Sequence, residues 1–120
     1  MFESVHSVMF FVSDVAKACA WYSKFLDCEP TYLAPDFPVL RAASVEICFH
    51  LADSKVSSGH AGAVTYFRVN NLAVAISRAE YLGGSVYRGP LEIENGDSIC
   101  QIADPFGNLL GMVGKLASAS

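Results

Sequence analysis

The order of apolar and polar residues predicts a strand followed by a helix at the start of the chain. Segment 5–12 is apolar on both of its alternating faces, which is typical of a strand covered on two sides. Ser13 and Asp14 then offer side-chain oxygens that can cap a helix. Apolar residues continue at spacings of four and three as far as residue 26, which predicts an amphipathic helix. Those residues are Val15, Cys19, Tyr22 and Leu26.

Three further strands are predicted after this helix. Segments 31–33 and 39–42 are apolar, and they are separated by a turn at 35–38 that contains two prolines. Segment 45–51 alternates between apolar and polar residues, so its polar side chains are expected on one face. That face carries Glu46, Cys48 and His50.

The chain then repeats this pattern. Val12-Ser13-Asp14-Val15 is echoed by Val69-Asn70-Asn71-Leu72, and the offset is 57 residues throughout. Repetition at this period indicates two similar supersecondary units. The second copy predicts a strand at 63–69, a helix capped by Asn71 and stopped by Gly83-Gly84, and strands at 86–87, 99–103 and 108–113, with turns at Pro90, Gly96-Asp97 and 104–107.

These elements predict an α+β fold made of two βαβββ modules. The modules span about 4–52 and 62–114, and loop 53–61 joins them within one domain, 1–120. We expect a curved, eight-stranded mixed sheet, an incomplete barrel with both helices on its convex face. The concave face would then be the place for a ligand.

Composition narrows the range of partners. The chain has 120 residues, 52% of them hydrophobic and 17% charged, with a net charge of −4. The acidic balance weighs against nucleic acid, and no apolar run approaches the roughly 20 residues of a membrane span. The four cysteines are scattered and no signal peptide is seen, so we expect reduced thiols and a cytoplasmic location. The high hydrophobic content predicts a homodimer.

Several motifs together resemble one known superfamily. They are Phe11-Val12-Ser13-Asp14-Val15, Trp21-Tyr22-Ser23-Lys24-Phe25-Leu26, Tyr66-Phe67-Arg68-Val69-Asn70-Asn71, Leu82-Gly83-Gly84, Gly89-Pro90-Leu91 and Asp104-Pro105-Phe106-Gly107-Asn108. The chain resembles the vicinal oxygen chelate superfamily, which includes glyoxalase I, extradiol dioxygenases, fosfomycin resistance proteins and bleomycin resistance proteins. The metal-free members of the bleomycin-resistance type are the most similar.

The resemblance implies where a metal site would lie. Metal-dependent members carry ligands in the first, fourth, fifth and eighth strands. The corresponding positions here are Ser7, Glu46, Val64 and Gly111. Serine, valine and glycine do not build a divalent-metal site, which needs several converging imidazole or carboxylate groups. We therefore predict no metal and no other cofactor.

The preferred interpretation is a protein that binds and sequesters a small molecule, antibiotic-like or an aromatic metabolite, without chemical change. Phe11 and Tyr66 would stack on the ligand, while Glu46 and Arg68 would meet its charges. The small residues at the metal positions would leave room for it. The predicted ligand-binding residues are Ser7, Met9, Phe11, Glu46, His50, Val64, Tyr66, Arg68, Leu109 and Gly111.

Two alternatives stay open. The first is a metal-dependent lyase, isomerase or dioxygenase with a displaced site built from His50, Glu46 and His6. A cluster that also includes His60 belongs to the same alternative, although nothing in the spacing supports it. The second is an interaction or regulatory domain without any pocket. No nucleophile motif is present, so a catalytic residue is not predicted.

Overall fold

The computed structural model describes residues 1–60 and 62–116. The chain divides into two compact units, Met1–Ser58 and Gly59–Ser120, and each contains one βαβββ module. The first unit consists of β1 (Ser7–Val12), α1 (Val15–Leu26), β2 (Thr31–Ala34), β3 (Phe37–Ala42) and β4 (Val45–Leu51).

The strands of the first unit form a four-stranded mixed sheet in the order β1-β4-β3-β2. The outer strand β1 runs parallel to β4, and the remaining pairs are antiparallel. A two-residue turn, Ala43-Ser44, joins β3 to β4 and pairs Ala42 with Val45. Both turn residues have positive φ, 54° and 63°, as a type I′ turn requires.

Helix α1 has a capping residue at each end, Asp14 at the start and Asp27 at the finish. The Asp14 side chain accepts a hydrogen bond from the backbone N–H of Lys17 (3.0 Å), which satisfies one of the unpaired amides of the first turn. Asp27 adopts the left-handed conformation (φ 55°) that ends the helix. One face of α1 packs on β3 and β4. The core residue Tyr22 stacks there on Phe10 at 5.0 Å between ring centroids.

The second unit repeats this arrangement. Its elements are β5 (Tyr66–Arg68), α2 (Leu72–Tyr81), β6 (Ser85–Glu92), a short 3₁₀ turn (Glu94–Gly96), β7 (Ser98–Ala103) and β8 (Leu109–Gly114). The sheet order is β5-β8-β7-β6, with β5 parallel to β8. Asn71 caps α2 as Asp14 caps α1, by accepting from the N–H of Val74 (3.1 Å).

Helix α2 lies close to its sheet because Gly84 carries no side chain. A Cβ at this position would sit 3.1 Å from the Ala79 carbonyl oxygen and 3.2 Å from that of Ala103. The turn between β7 and β8 is held by Asp104, whose Oδ1 accepts from the N–H groups of Phe106 and Asn108. This is an Asx-type turn, and it directs β8 back along β7.

The predicted α+β class with two βαβββ modules is confirmed, and the eight strands lie in two sheets of four, one in each unit. Several predicted boundaries are wrong, and one of them is the start of β1, which lies at Ser7 and not at residue 5. Strand β5 begins at Tyr66, three residues later than predicted. Phe37 belongs to β3 instead of a turn. Strand β6 continues through Pro90, because β6 is an edge strand and can lack one backbone donor there.

Candidate ligand-binding site

Five of the predicted site residues share one face of the first sheet. Alternate residues of β1 and β4 face α1, as the stacking of Phe10 and Phe49 on the helix residue Tyr22 shows. The other residues point to the opposite face, and the parallel register places Ser7 beside Glu46 and Phe11 beside His50. We call this surface the β1–β4 face. It is defined by Ser7, Met9, Phe11, Glu46 and His50.

An aromatic pair lies at one end of the β1–β4 face. The rings of Phe11 and His50 are 5.2 Å apart between centroids and tilted by 45°. The Nδ1 of His50 donates a hydrogen bond to the carbonyl oxygen of Leu51 (2.8 Å). Because the carbonyl can only accept, a neutral His50 carries its proton on Nδ1, and its Nε2 is left as an acceptor. Met9, beside this pair, is 40% exposed.

A salt bridge occupies the other end of the same face. Arg41 Nη2 lies 3.0 Å from Glu46 Oε1, and the two residues are direct cross-strand partners in β3 and β4. Glu46, which was expected to pair with a cationic group of a ligand, is thus paired with Arg41 in this structure. Sequence reasoning missed Arg41. The two-residue turn at Ala43-Ser44 was the available signal, since it fixes this pairing.

The four predicted residues of β5 and β8 are either buried or already in contact with other residues of the second unit. Tyr66 pairs with Gly111, and a Cβ on Gly111 would lie 2.6 Å from Cγ of the Tyr66 ring. The ring therefore fills the room that a small residue at position 111 was expected to leave. The Tyr66 hydroxyl accepts a hydrogen bond from Gln101 Nε2 (2.8 Å). Leu109 is buried.

Val64 lies two residues before β5 and is not part of the strand. The structure therefore does not place it on the sheet face that Tyr66 and Gly111 share. The hollow beside Tyr66 in this unit is only about 20 Å³, the size of one water molecule.

Arg68 is held by an acidic partner that sequence reasoning did not identify. Its Nη2 and Nη1 donate to the two carboxylate oxygens of Asp97 at 3.0 and 3.4 Å, and Lys115 Nζ lies 3.5 Å from the same carboxylate. The hydrogen bond from Arg68 holds the pKa of Asp97 below its ordinary value of 3.8, with further help from the charges of Arg68 and Lys115. The same bond raises the pKa of Arg68. The network ties β5 to the start of β7.

The metal positions implied by the resemblance do not carry a fitting set of ligands. Ser7 offers a hydroxyl, and Gly111 has no side chain and lies under the Tyr66 ring. The register also shifts one of the equivalences. Met9 pairs with Cys48 as its repeat partner Tyr66 pairs with Gly111, so Cys48 takes the place equivalent to Gly111. Burial raises the pKa of the Cys48 thiol, which disfavours the thiolate that binds metals.

The displaced metal site is not assembled either. Glu46 and His50 are four residues apart on β4, about 13 Å along the strand, whereas zinc-type ligands lie within about 2.3 Å of their ion. His6 precedes β1 and borders a hollow beside Arg41 and Glu46, at the end of the sheet away from His50. Within residues 1–60 and 62–116, no three His, Cys, Asp or Glu side chains are grouped so as to hold a metal ion. His60 instead packs edge-on against Tyr87 at 4.8 Å.

Comparison with known proteins identifies the superfamily of the chain. A family model for the Glyoxalase/Bleomycin resistance protein/Dioxygenase superfamily matches residues 4–112. The chain belongs to this superfamily. Members of this superfamily with solved structures share its fold. A comparison with curated protein sequences finds no match.

Three solved structures illustrate that likeness. A superfamily member from Sphaerobacter thermophilus is 22% identical, covers 95% of this chain and 98% of that chain, and has a TM-score of 0.75. The fosfomycin resistance protein FosX from Listeria monocytogenes is 14% identical over 100% of this chain and 97% of that chain, with a TM-score of 0.73. A glyoxalase-related enzyme from Fulvimarina pelagi is 15% identical over 94% and 88%, with a TM-score of 0.77.

At these identities the neighbours establish the fold of the chain, and its chemistry has to be inferred from its own residues.

Neither α1 nor α2 has the length and apolar character that crossing a bilayer demands, and the described ranges contain no other helix that does.

Proposed function

We propose that this superfamily member binds a small organic molecule on the β1–β4 face without using a metal ion. The observation that carries the proposal is the state of Glu46. It is the one carboxylate on the β1–β4 face, and Arg41 holds it in an ion pair at 3.0 Å. A metal ion would have to displace that arginine and find further ligands beside Ser7, which supplies only a hydroxyl.

The rest of the β1–β4 face suits a flat, partly apolar ligand. Phe11 and His50 present two rings, and Met9 adds a polarisable side chain that adapts to irregular shapes. Aromatic stacking on such a pair is worth about 0.5–1.5 kcal/mol beyond the area it buries. An antibiotic-like molecule or an aromatic metabolite is the ligand class that these side chains favour, and capture without chemical change is the proposed role.

Two further proposals accompany this function. We propose that the protein is a homodimer, since Met9, Leu33 and Leu51 are large apolar side chains left exposed on the first unit. We also propose that it works in the cytoplasm, since Cys19, Cys48 and Cys100 are unpaired and burial raises the pKa of each thiol. Sedimentation velocity tests the first proposal, and a single species at the monomer mass would contradict it.

The metal-free function is tested by binding measurements with and without a chelator. A panel of aromatic small molecules is screened for a rise in melting temperature in the presence of EDTA. Isothermal titration of the chelator-treated protein with Zn²⁺, Ni²⁺, Mn²⁺ and Fe²⁺ should show no tight stoichiometric site. A tight site, or ligand binding that disappears in EDTA, would instead favour the metal-dependent enzyme.

The place of binding is tested by Phe11→Ala. Loss of the stacking ring should weaken a hit from the panel by about tenfold. Phe2→Ala is the matched control, because Phe2 is fully exposed and lies before β1. Equal weakening by both substitutions, or no weakening by Phe11→Ala, would place the ligand elsewhere.

A further inference from the structure

The first unit has a cavity that shares His50 with the β1–β4 face and is otherwise lined by residues outside it. It is an open cleft of about 590 Å³ where β1 and β4 end, beside the first turn of α1. This is within the usual size range for small-molecule sites, about 300–1,000 Å³. We call it the helix-end cleft. It is lined by Ser13, Asp14, Val15, Asp36, Phe37, Phe49, His50 and Leu51.

The charged groups that line the helix-end cleft are of one sign. Asp14 and Asp36 contribute two carboxylates, and no lysine or arginine is among the lining residues. Asp14 uses Oδ1 to cap α1. The Asp36 carboxylate makes no hydrogen bond or ion pair with any residue in 1–60 or 62–116. Its charge is therefore not neutralised by the protein.

Two apolar side chains of the cleft, Phe37 and Leu51, are accessible to a ligand. Phe37 is 38% exposed although it lies within β3, and Leu51 is exposed beside it on the cleft wall. The face of an aromatic ring attracts a cation within about 6 Å of its centroid. His50 adds one acceptor, Nε2, when its ring is neutral, because Nδ1 donates to Leu51.

An anion is a poor occupant of this cleft. The N-terminus of a helix normally attracts anions through its free N–H groups. Here the Asp14 carboxylate already occupies that position, and a second carboxylate follows at Asp36. The cleft therefore combines uncompensated negative charge with exposed rings, and both features favour a ligand that carries a positive charge and an aromatic ring.

We propose that the helix-end cleft binds an organic cation, an arylalkyl ammonium, with its ammonium group at Asp36 and its ring against Phe37. A second hollow of about 370 Å³ shares Val15 and Asp36 and adds Tyr32 and two prolines to its walls. Asp36 thus borders both hollows, so one ammonium group at this carboxylate leaves space on either side for the rest of the ligand. This site shares His50 with the β1–β4 face, but its ammonium and ring contacts, Asp36 and Phe37, lie outside that face.

The test uses three small probes of similar shape and different charge. They are 2-phenylethylammonium, neutral 2-phenylethanol and anionic phenylacetate, titrated into ¹⁵N-labelled protein at low ionic strength. We expect the ammonium probe to shift the amide signals of Asp36, Phe37 and Val15, with tighter binding than either other probe. Equal affinity for the neutral alcohol, or preference for the anion, would overturn the proposal.

Paired variants identify the carboxylate that matters. Asp36→Asn should weaken the ammonium probe by about fivefold, the size expected for one partly exposed ion pair. Glu29→Gln removes the same charge from an exposed position outside the cleft and should change binding less than twofold. Equal effects of the two variants would mean that only net charge acts. Asp36 is not among the residues that define the β1–β4 face, so Asp36→Asn should not weaken a ligand bound on that face, which separates this test from that of the β1–β4 face.

Discussion

The ring of Tyr66 lies directly over the backbone of Gly111, so close that a Cβ added to Gly111 would be 2.6 Å from two of its ring atoms. The two residues are Cα partners in the parallel pair β5–β8. The hydroxyl end of the ring is fixed by Gln101, which donates to it at 2.8 Å. The position that the resemblance implies for an eighth-strand metal ligand is thus covered by an aromatic side chain.

Gly111→Ala should destabilise the protein by about 1–3 kcal/mol, because the added methyl group collides with the near edge of the Tyr66 ring and not with a flexible chain end. Urea denaturation measures the change in unfolding free energy. Gly59→Ala is the control, since a Cβ there meets nothing within 4 Å. In the double variant Tyr66→Ala/Gly111→Ala, the loss in unfolding free energy should be about 1 kcal/mol smaller than the sum of the two single losses. Strict additivity would show that the ring does not restrict position 111.

Replacing the turn Ala43-Ser44 by Asn-Gly should stabilise the protein by about 1 kcal/mol. Both residues have positive φ, which is unfavourable for most residues that carry a Cβ atom. Asn and Gly adopt this conformation readily. The midpoint of urea denaturation should rise with an unchanged slope. Ser54→Gly, in a loop position without positive φ, is the control and should be neutral or destabilising. A lower midpoint for Asn-Gly would contradict the type I′ assignment.

Asp97→Asn should remove part of the acid sensitivity of folding. The pKa of Asp97 is lowered in the folded protein, chiefly by the hydrogen bond from Arg68. A lowered folded pKa means that the unfolded chain binds the proton more readily, so this stabilisation is present above pH 3.8, the ordinary value, and is lost as pH falls through the folded value. The stability difference between wild type and variant should therefore narrow on acidification.

Denaturation curves measured from pH 6 down to pH 2.5 test this dependence. Glu92→Gln serves as the control, because Glu92 is an exposed carboxylate of β6 that is not part of the Arg68 network. A gap between wild type and Asp97→Asn that stays constant over this range would show that the ion pair does not contribute through ionisation.

Tyr22→Ala should be severely destabilising, by about 3–5 kcal/mol. Tyr22 is 0% exposed, and its ring packs on Phe10 at 5.0 Å and on Phe49 at 5.4 Å, so truncation leaves a large void between α1 and the first sheet. Tyr81→Ala is matched in chemistry and lies on an exposed face of α2, so it should cost less than about 0.5 kcal/mol. Similar thermal melting of the two variants would contradict this account of the core.

Local sequence pattern determined the modules of this protein. Alternation over 45–51 predicted β4 at its observed bounds, Val45–Leu51, because each side chain of a strand alternates between two faces. Asp14 and Asn71 signalled both helix starts, since capping depends on residues within one turn. The alternation within β1 also predicted that Ser7, Met9 and Phe11 share one face of that strand.

Only the tertiary structure decided which site residues have partners. Glu46 pairs with Arg41, Arg68 with Asp97, and Tyr66 with Gln101. The partners in the last two pairs are 29 and 35 residues apart in sequence. Hydrophobic periodicity reports which face a side chain takes, but it carries no information on which side chain stands opposite across a sheet. The room expected above Gly111 was lost for the same reason, since the direction of the Tyr66 ring depends on a strand pairing that spans 45 residues. Whether a polar or small residue is available to a ligand is therefore a property of the packed sheet.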